Sequence, residues 1–206
     1  MNWEEYLEKF PPSKWTCLRG HLPAPLIDRL RDAVLNAPKI QFNTEPVEGV
    51  EIVAVNGDEV EQLNKDHEYR DLDEPTKDVL RQILPHVLSG VGVAWRVLNV
   101  RSWTTKAGAV MGPNDWHMDG DHPGIVKLML YGTPTGGQYG GLEWKGGKLN
   151  GESWLLFYSS VIEHKAIAPT KEGLERVATE VTLCPSKEFD LEPKFLGLAA
   201  RKPLVP

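Results

Sequence analysis

"IVKLMLYGTPTGGQYGGLEW", residues 125–144, sets two apolar runs on either side of a segment broken by Gly132, Pro134, Gly136 and Gly137. In the first run Val126, Leu128 and Leu130 alternate with Lys127, Met129 and Tyr131. Successive side chains of a strand leave opposite faces, so this is a strand with an oily side and a mixed side. Gly and Pro then turn the chain into a second strand. Working outward, runs of the same kind occupy 94–105, 153–159, 163–168 and 176–183, which with 125–131 and 140–144 predict six strands. In "RVATEVTL" (176–183) Val177, Val181 and Leu183 share one face, and Arg176, Glu180 and Thr182 the other. The oily faces suit packing under helices. The mixed faces either line a cavity or meet water.

Upstream of residue 92 the periodicity becomes helical. Helices are predicted over 2–10, 23–38, 58–69 and 74–88, with a short strand at 51–55 before Asn56-Gly57. Leu26, Ile27, Leu30, Val34 and Leu35 form the apolar stripe of the second helix, and Pro38 ends it. Asp73 and Pro75 suit the start of the fourth, and Pro85 should kink it or stop it early. The expected class is α+β, mainly β: a single domain over 1–206, with a helical preface (1–92), a sandwich or barrel core (93–184) and a tail (185–206).

The bulk numbers restrict function. A net charge of −6, with no Lys/Arg cluster, excludes a nucleic-acid binder, because nothing would offset phosphate repulsion. No apolar run approaches a membrane span, and "MNWEEYLEKF" is acidic rather than a secretory leader, so a cytoplasmic protein is expected. Cys17 and Cys184 are far apart with no metal spacing, and read as two buried thiols in a reducing compartment.

Chemistry concentrates in "WHMDGDHPG", residues 116–124. On an extended segment His117 and Asp119, two apart, point the same way and can grip one ion. A third ligand must come from elsewhere. His21, His67 and His86 lie in the preface, His122 is so near that Pro123 would have to aim it back, and His164 opens a distant strand in "VIEHKAIAP". Two imidazoles and one carboxylate leave several positions on a metal open, the ligand set of non-haem iron(II) oxygenases. Arg176 follows His164 by twelve residues, about a strand and a turn. It can hold a carboxylate through two parallel hydrogen bonds, or simply pair with Glu175 or Glu180.

Four blocks in order resemble the double-stranded β-helix (jelly-roll, cupin-like) core of the iron(II)- and 2-oxoglutarate-dependent dioxygenases, especially the prolyl-4-hydroxylase-like branch. They are "WHMDG", "KLMLYGTP", "GGLEW" and "SWLLFYSSVIEHKAIAP", within roughly Val100 to Cys184. The preface resembles the helices that buttress that core. The resemblance implies that His117, Asp119 and His164 ligate iron(II), that Arg176 holds the distal carboxylate of 2-oxoglutarate, and that Tyr131 or Lys127 adds a contact. Tyr131 and Lys127 could equally be a buried pair. Hydroxylation with release of succinate and carbon dioxide is the implied default, with ascorbate as a possible helper; desaturation, cyclisation or demethylation need the same ligands. Halogenation is disfavoured, since halogenating members lack the carboxylate. Two features depart from the pattern: the turn "TKEGLE" is long, and Ala178 stands where Ser or Thr is usual, leaving Thr179 or Trp103 to supply a contact.

Arg101, Trp103 and Trp116 are candidate substrate contacts, although Trp is commonly a core residue and Arg101 has Asp115 as an alternative partner. The expected partners are dioxygen and a small molecule or peptide segment. The alternative is a cupin-like metalloprotein, a hydrolase, isomerase or small-ligand binder, that uses the same three ligands without 2-oxoglutarate. Arg176 discriminates, because a hydrolase needs no carboxylate clamp there.

Overall fold

The structure is a computed structural model that describes Glu8 and residues 17–41, 65–91, 93–109, 115–119 and 124–195. The expected helix at 2–10 (Glu8 apart), the strand at 51–55, His122 and the end of the tail lie outside the described residues.

Among the described residues ten strands and two α-helices with both ends described follow in order: β1 Leu18–Gly20, α1 Ala24–Asn36, β2 Lys39–Ile40, β3 His67–Arg70, α2 Glu74–Leu88, β4 Ala94–Lys106, β5 Val126–Tyr131, β6 Gly141–Trp144, β7 Gly147–Lys148, β8 Trp154–Phe157, β9 His164–Ile167 and β10 Glu175–Ser186. All six expected strands form. Seven strands make an antiparallel sheet in the order β1-β8-β5-β10-β4-β3-β2, and three make a second sheet, β7-β6-β9. The fold is a double-stranded β-helix with helices on one side.

Alternation along the strands divides the interior. Val126, Leu128, Leu130, Val177, Val181 and Leu183 pack with Leu30 and Val34 of α1 and with Leu80, Ile83 and Leu84 of α2. The opposite face contributes Met129, Tyr131, Leu155, Phe157 and Ala178 to a second cluster, joined by Leu142 and Trp144 from β6. The mixed faces therefore look inward, toward the second sheet. Register on β4 slips once: Thr182 pairs with Asn99 but Leu183 with Val97. This bulge at Leu98 keeps Trp95 and Val97 on the helix side despite the change of parity from Val100.

α1 falls within the expected 23–38, running from Ala24 to Asn36. Ala37 is extended (ψ 146°), as the residue before Pro38 must be, and Arg70 donates to the carbonyls of Leu35 and Ala37 at the helix end. α2 starts as expected, with the Asp73 carboxylate accepting from Thr76 N at 3.0 Å. Pro85 does not stop it: the helix runs to Leu88. A proline inside a helix, through its missing hydrogen bond and its ring clash together, costs about 3 kcal/mol. Burial of Val87 and Leu88 recovers roughly 1.5–3 kcal/mol for each side chain. The expected helix at 58–69 is corrected at its end, where residues 67–70 are a strand. His67 and Tyr69 alternate inward opposite Thr105 and Trp103, so sheet pairing with β4 overrides the local helical pattern. Among the described residues no helix is long and apolar enough to cross a membrane.

Candidate metal centre

His117 lies outside the named strands but exchanges two backbone hydrogen bonds with His164, N to O at 3.0 and 2.9 Å. β9 in turn pairs with β6, with His164 opposite Trp144. The segment carrying His117 thus continues the second sheet by one bridge, and the two imidazoles sit side by side with centroids 4.4 Å apart. Asp119 N donates to Ser159 O at 2.9 Å, which anchors the other end of the segment beside the turn after β8.

Each histidine donates its Nδ1–H to the carbonyl two residues before it: His117 to Asp115 O at 2.7 Å, His164 to Ile162 O at 2.8 Å. That fixes the tautomer and leaves both Nε2 lone pairs free. His117 Nε2 is 3.8 Å from Asp119 Oδ1, and His164 Nε2 is 3.9 Å from Asp119 Oδ2. The three donor atoms all lie within 4.8 Å of one another. His164 and Asp119 are buried, whereas His117 is half-buried, so the group opens on the His117 side. The edge of Phe157 covers His164 at 4.8 Å.

The electrostatics suit a cation. Burial works to raise the Asp119 carboxyl, but the Lys127 ammonium, with help from His164 and Ser159, holds it far below the usual carboxylate range. Burial lowers His164, only partly offset by the Ile162 carbonyl and Asp119, so its imidazole is neutral at pH 7 and keeps its lone pair. Donors of this kind, two imidazoles and an ionised carboxylate, fit a first-row divalent metal.

The inward rows of the main sheet place the remaining candidates. Arg176 sits opposite Thr105 at the far end of β10, 3% exposed. It donates to Gly141 O at 3.0 Å, to Ile167 O, and to Thr105 Oγ1 at 3.2 Å. A guanidinium has five N–H groups, so two remain, and Nε has no partner. Neither Glu175 nor Glu180 takes it: among the described residues Arg176 has no carboxylate partner. The approach of β6 to β9 that makes this cradle requires glycine. At Gly140 (φ +73°) a Cβ would fall 2.1 Å from Ile167 O.

Tyr131 is buried opposite Ala178, and burial pushes its hydroxyl up to about 12, so it stays a proton donor. Lys127 lies 2.7 Å from Asp119 Oδ2 and 3.3 Å from Glu180 Oε2. Arg101 pairs with Glu180 across β4 and β10. Trp103 is packed against the Met129/Tyr131 cluster and against Tyr69. The ammonium groups of Lys145 and Lys165 lie 4.4 and 4.7 Å from the ring centroid of Trp116, contacts that tie it to the second sheet. Thr179 is on the helix side of β10, bonded to Ser102 at 2.8 Å, and does not face the donors. The sequence reading missed Thr105, Glu180 and the carbonyls of Gly141 and Ile167; register alone brings them to the site.

The fold and its three converging donors define a double-stranded β-helix with a two-histidine, one-carboxylate group. No protein-family model matches the chain, and no curated protein matches it. Solved structures do. HygX from Streptomyces hygroscopicus, solved with nickel and 2-oxoglutarate bound, aligns with TM-score 0.55 and 12% identity over 89% of this chain and 87% of that one. The non-haem α-ketoglutarate-dependent carbocyclase SnoK from nogalamycin biosynthesis aligns with TM-score 0.55 and 13% identity over 93% and 90%. The epimerase SnoN from the same biosynthesis aligns with TM-score 0.54 and 11% identity over 87% and 83%. The chain shares their fold.

Proposed function

We propose that this chain is an iron(II)- and 2-oxoglutarate-dependent oxygenase. His117, Asp119 and His164 hold the metal, and Arg176 takes the distal carboxylate of 2-oxoglutarate. The observation that carries the reading is a buried guanidinium with two unspent N–H groups and no carboxylate partner among the described residues. Burying an unpaired charge is costly, so such a group implies an anionic ligand. His164 and Ile167 stand at the two ends of β9, three residue steps or about 10 Å apart. A short dicarboxylate reaching from the metal donors toward Arg176 runs along that strand. Tyr131, facing inward between them, donates a further hydrogen bond.

When bound, iron with 2-oxoglutarate and dioxygen supplies oxidative decarboxylation to succinate and carbon dioxide, coupled to oxidation of the substrate. The chain's own residues orient and exclude. The carbonyls of Asp115 and Ile162 fix the imidazoles, and Phe157 shields His164. The half-exposed His117 marks the open side, where substrate enters. Hydroxylation is the default outcome. The carbocyclase and epimerase that share the fold show that it carries other outcomes too. A small molecule is the favoured substrate class, as HygX was also solved with hygromycin B bound. The cupin-like alternative leaves the two unspent N–H groups of Arg176 without a use. The test is anaerobic addition of iron(II) and then 2-oxoglutarate. A weak visible charge-transfer band that needs both is expected; its absence, with iron bound, would refute the co-substrate assignment.

A further inference from the structure

Four charged side chains alternate in sign across the inward face: Arg101, Glu180, Lys127, Asp119. Arg101 pairs with Glu180; Lys127 Nζ is 3.3 Å from Glu180 Oε2 and 2.7 Å from Asp119 Oδ2. Their side chains are only 11%, 10%, 7% and 5% exposed, in that order. Two cations and two anions balance, so the row is neutral as it stands. The imidazole Nε2 atoms at 3.8 and 3.9 Å are too distant to hydrogen-bond Asp119, and the ammonium is its closest charged neighbour. A divalent metal at the three donors must share Asp119 with that ammonium, and two cations on one buried carboxylate repel strongly. Lys127 has a second carboxylate within reach in Glu180.

Resting on the metal-centre reading above, we infer that Lys127 is a resident counter-ion: it holds Asp119 in place of the metal and passes to Glu180 when the metal arrives. The physical need is plain. An ionised carboxylate this deeply buried is tolerated only when paired, and an unfilled centre would otherwise strand it. Loading then exchanges one cation for another on Asp119, and the strength of the Lys127–Glu180 contact sets how tightly the metal is held. Lys127 is thus a positioning residue acting through Asp119. Its ammonium, already between two carboxylates, is not aimed at an incoming dicarboxylate.

The inference gives opposite signs for two neighbouring substitutions. The experiment titrates the full-length protein with cobalt(II), without co-substrate, and measures affinity by calorimetry and thermal stability with and without metal. Lys127→Met should bind cobalt(II) at least tenfold more tightly than wild type. It should melt lower without metal and show a larger metal-induced rise in Tm. Glu180→Gln removes the place to which Lys127 withdraws, so cobalt(II) should bind at least fivefold more weakly. The double variant should behave as Lys127→Met does. A merely structural ion pair predicts instead that both single variants lose stability and neither gains affinity, and that result would overturn the inference. Should Lys127→Met fail to fold, Lys127→Gln and Glu180→Gln carry the same signs. His164→Ala is the control. If wild type takes up no cobalt(II), or His164→Ala takes it up equally, the metal-centre reading falls and this inference with it. Uptake lost in His164→Ala but unmoved by Lys127→Met overturns the Lys127 assignment alone.

Discussion

Replacing Arg176 with methionine separates the two halves of the site. The substitution keeps much of the buried volume but removes a charge and all five N–H groups. Three of those groups bond Gly141 O, Ile167 O and Thr105 Oγ1, and two are unspent. If those two meet the distal carboxylate of 2-oxoglutarate, each charge-assisted bond is worth about 1.5–3 kcal/mol. Taking the low end of each, because such bonds are not additive, roughly 3 kcal/mol is lost, or about a hundredfold in Kd. The metal donors are untouched, since Arg176 contacts none of them. Calorimetry of 2-oxoglutarate binding to the metal-loaded protein, set beside cobalt(II) binding to the same variant, reads both numbers. A co-substrate Kd within threefold of wild type would refute the reasoning, and so would equal loss of metal and co-substrate, which would mean that Arg176 serves the cradle between β6 and β9.

Other perturbations probe the remaining links. His164→Ala should abolish measurable metal binding yet leave the far-ultraviolet circular dichroism unchanged, because the strand pairing of β9 uses backbone groups; intact metal affinity would show that residue 164 is no ligand. Leu84→Ala should destabilise the domain by about 2–5 kcal/mol in urea unfolding, since Leu84 is fully buried between α2 and the main sheet; a loss under about 1 kcal/mol would contradict that packing. Burial pushes Cys184 up to about 11 and Cys17 up to about 12. Unfolded thiols titrate near 8.5. Thiolate in the folded protein therefore grows only well above pH 8, and the unfolded state gains stability first as pH rises through about 8.5. Cys184 is buried and Cys17, expected to be buried too, is only partly so; Ellman's reagent at pH 8 should label Cys184 slowly in the native protein and fast in the urea-unfolded one, and equal rates would refute its burial.

How much of this was legible beforehand follows from which forces act locally. The six core strands, the two-faced pattern of Val126–Tyr131, the helix from Ala24 and the Asp73 cap could all be read, because alternation, helical period and capping are set by neighbours in the chain. The span 74–88 was read as one helix, but two things were not fixed: whether Pro85 would stop it, and that His67–Arg70 would be a strand where a helix was expected. In both, contact with a distant element outweighed local preference: the helix–sheet core in one, the edge of β4 in the other.

The site divides in the same way. His117 and Asp119 shared a face by their spacing, and the resemblance supplied His164 and Arg176. The structure alone decided that the His117 and His164 backbones pair directly and that both Nδ1 atoms are spent on nearby carbonyls. It also decided that Lys127 faces Asp119 and that Arg176 has no carboxylate beside it among the described residues. Strand periodicity states which face a side chain leaves from. Which groups it then meets depends on register between strands far apart in sequence, and that is fixed only when the sheets close on one another.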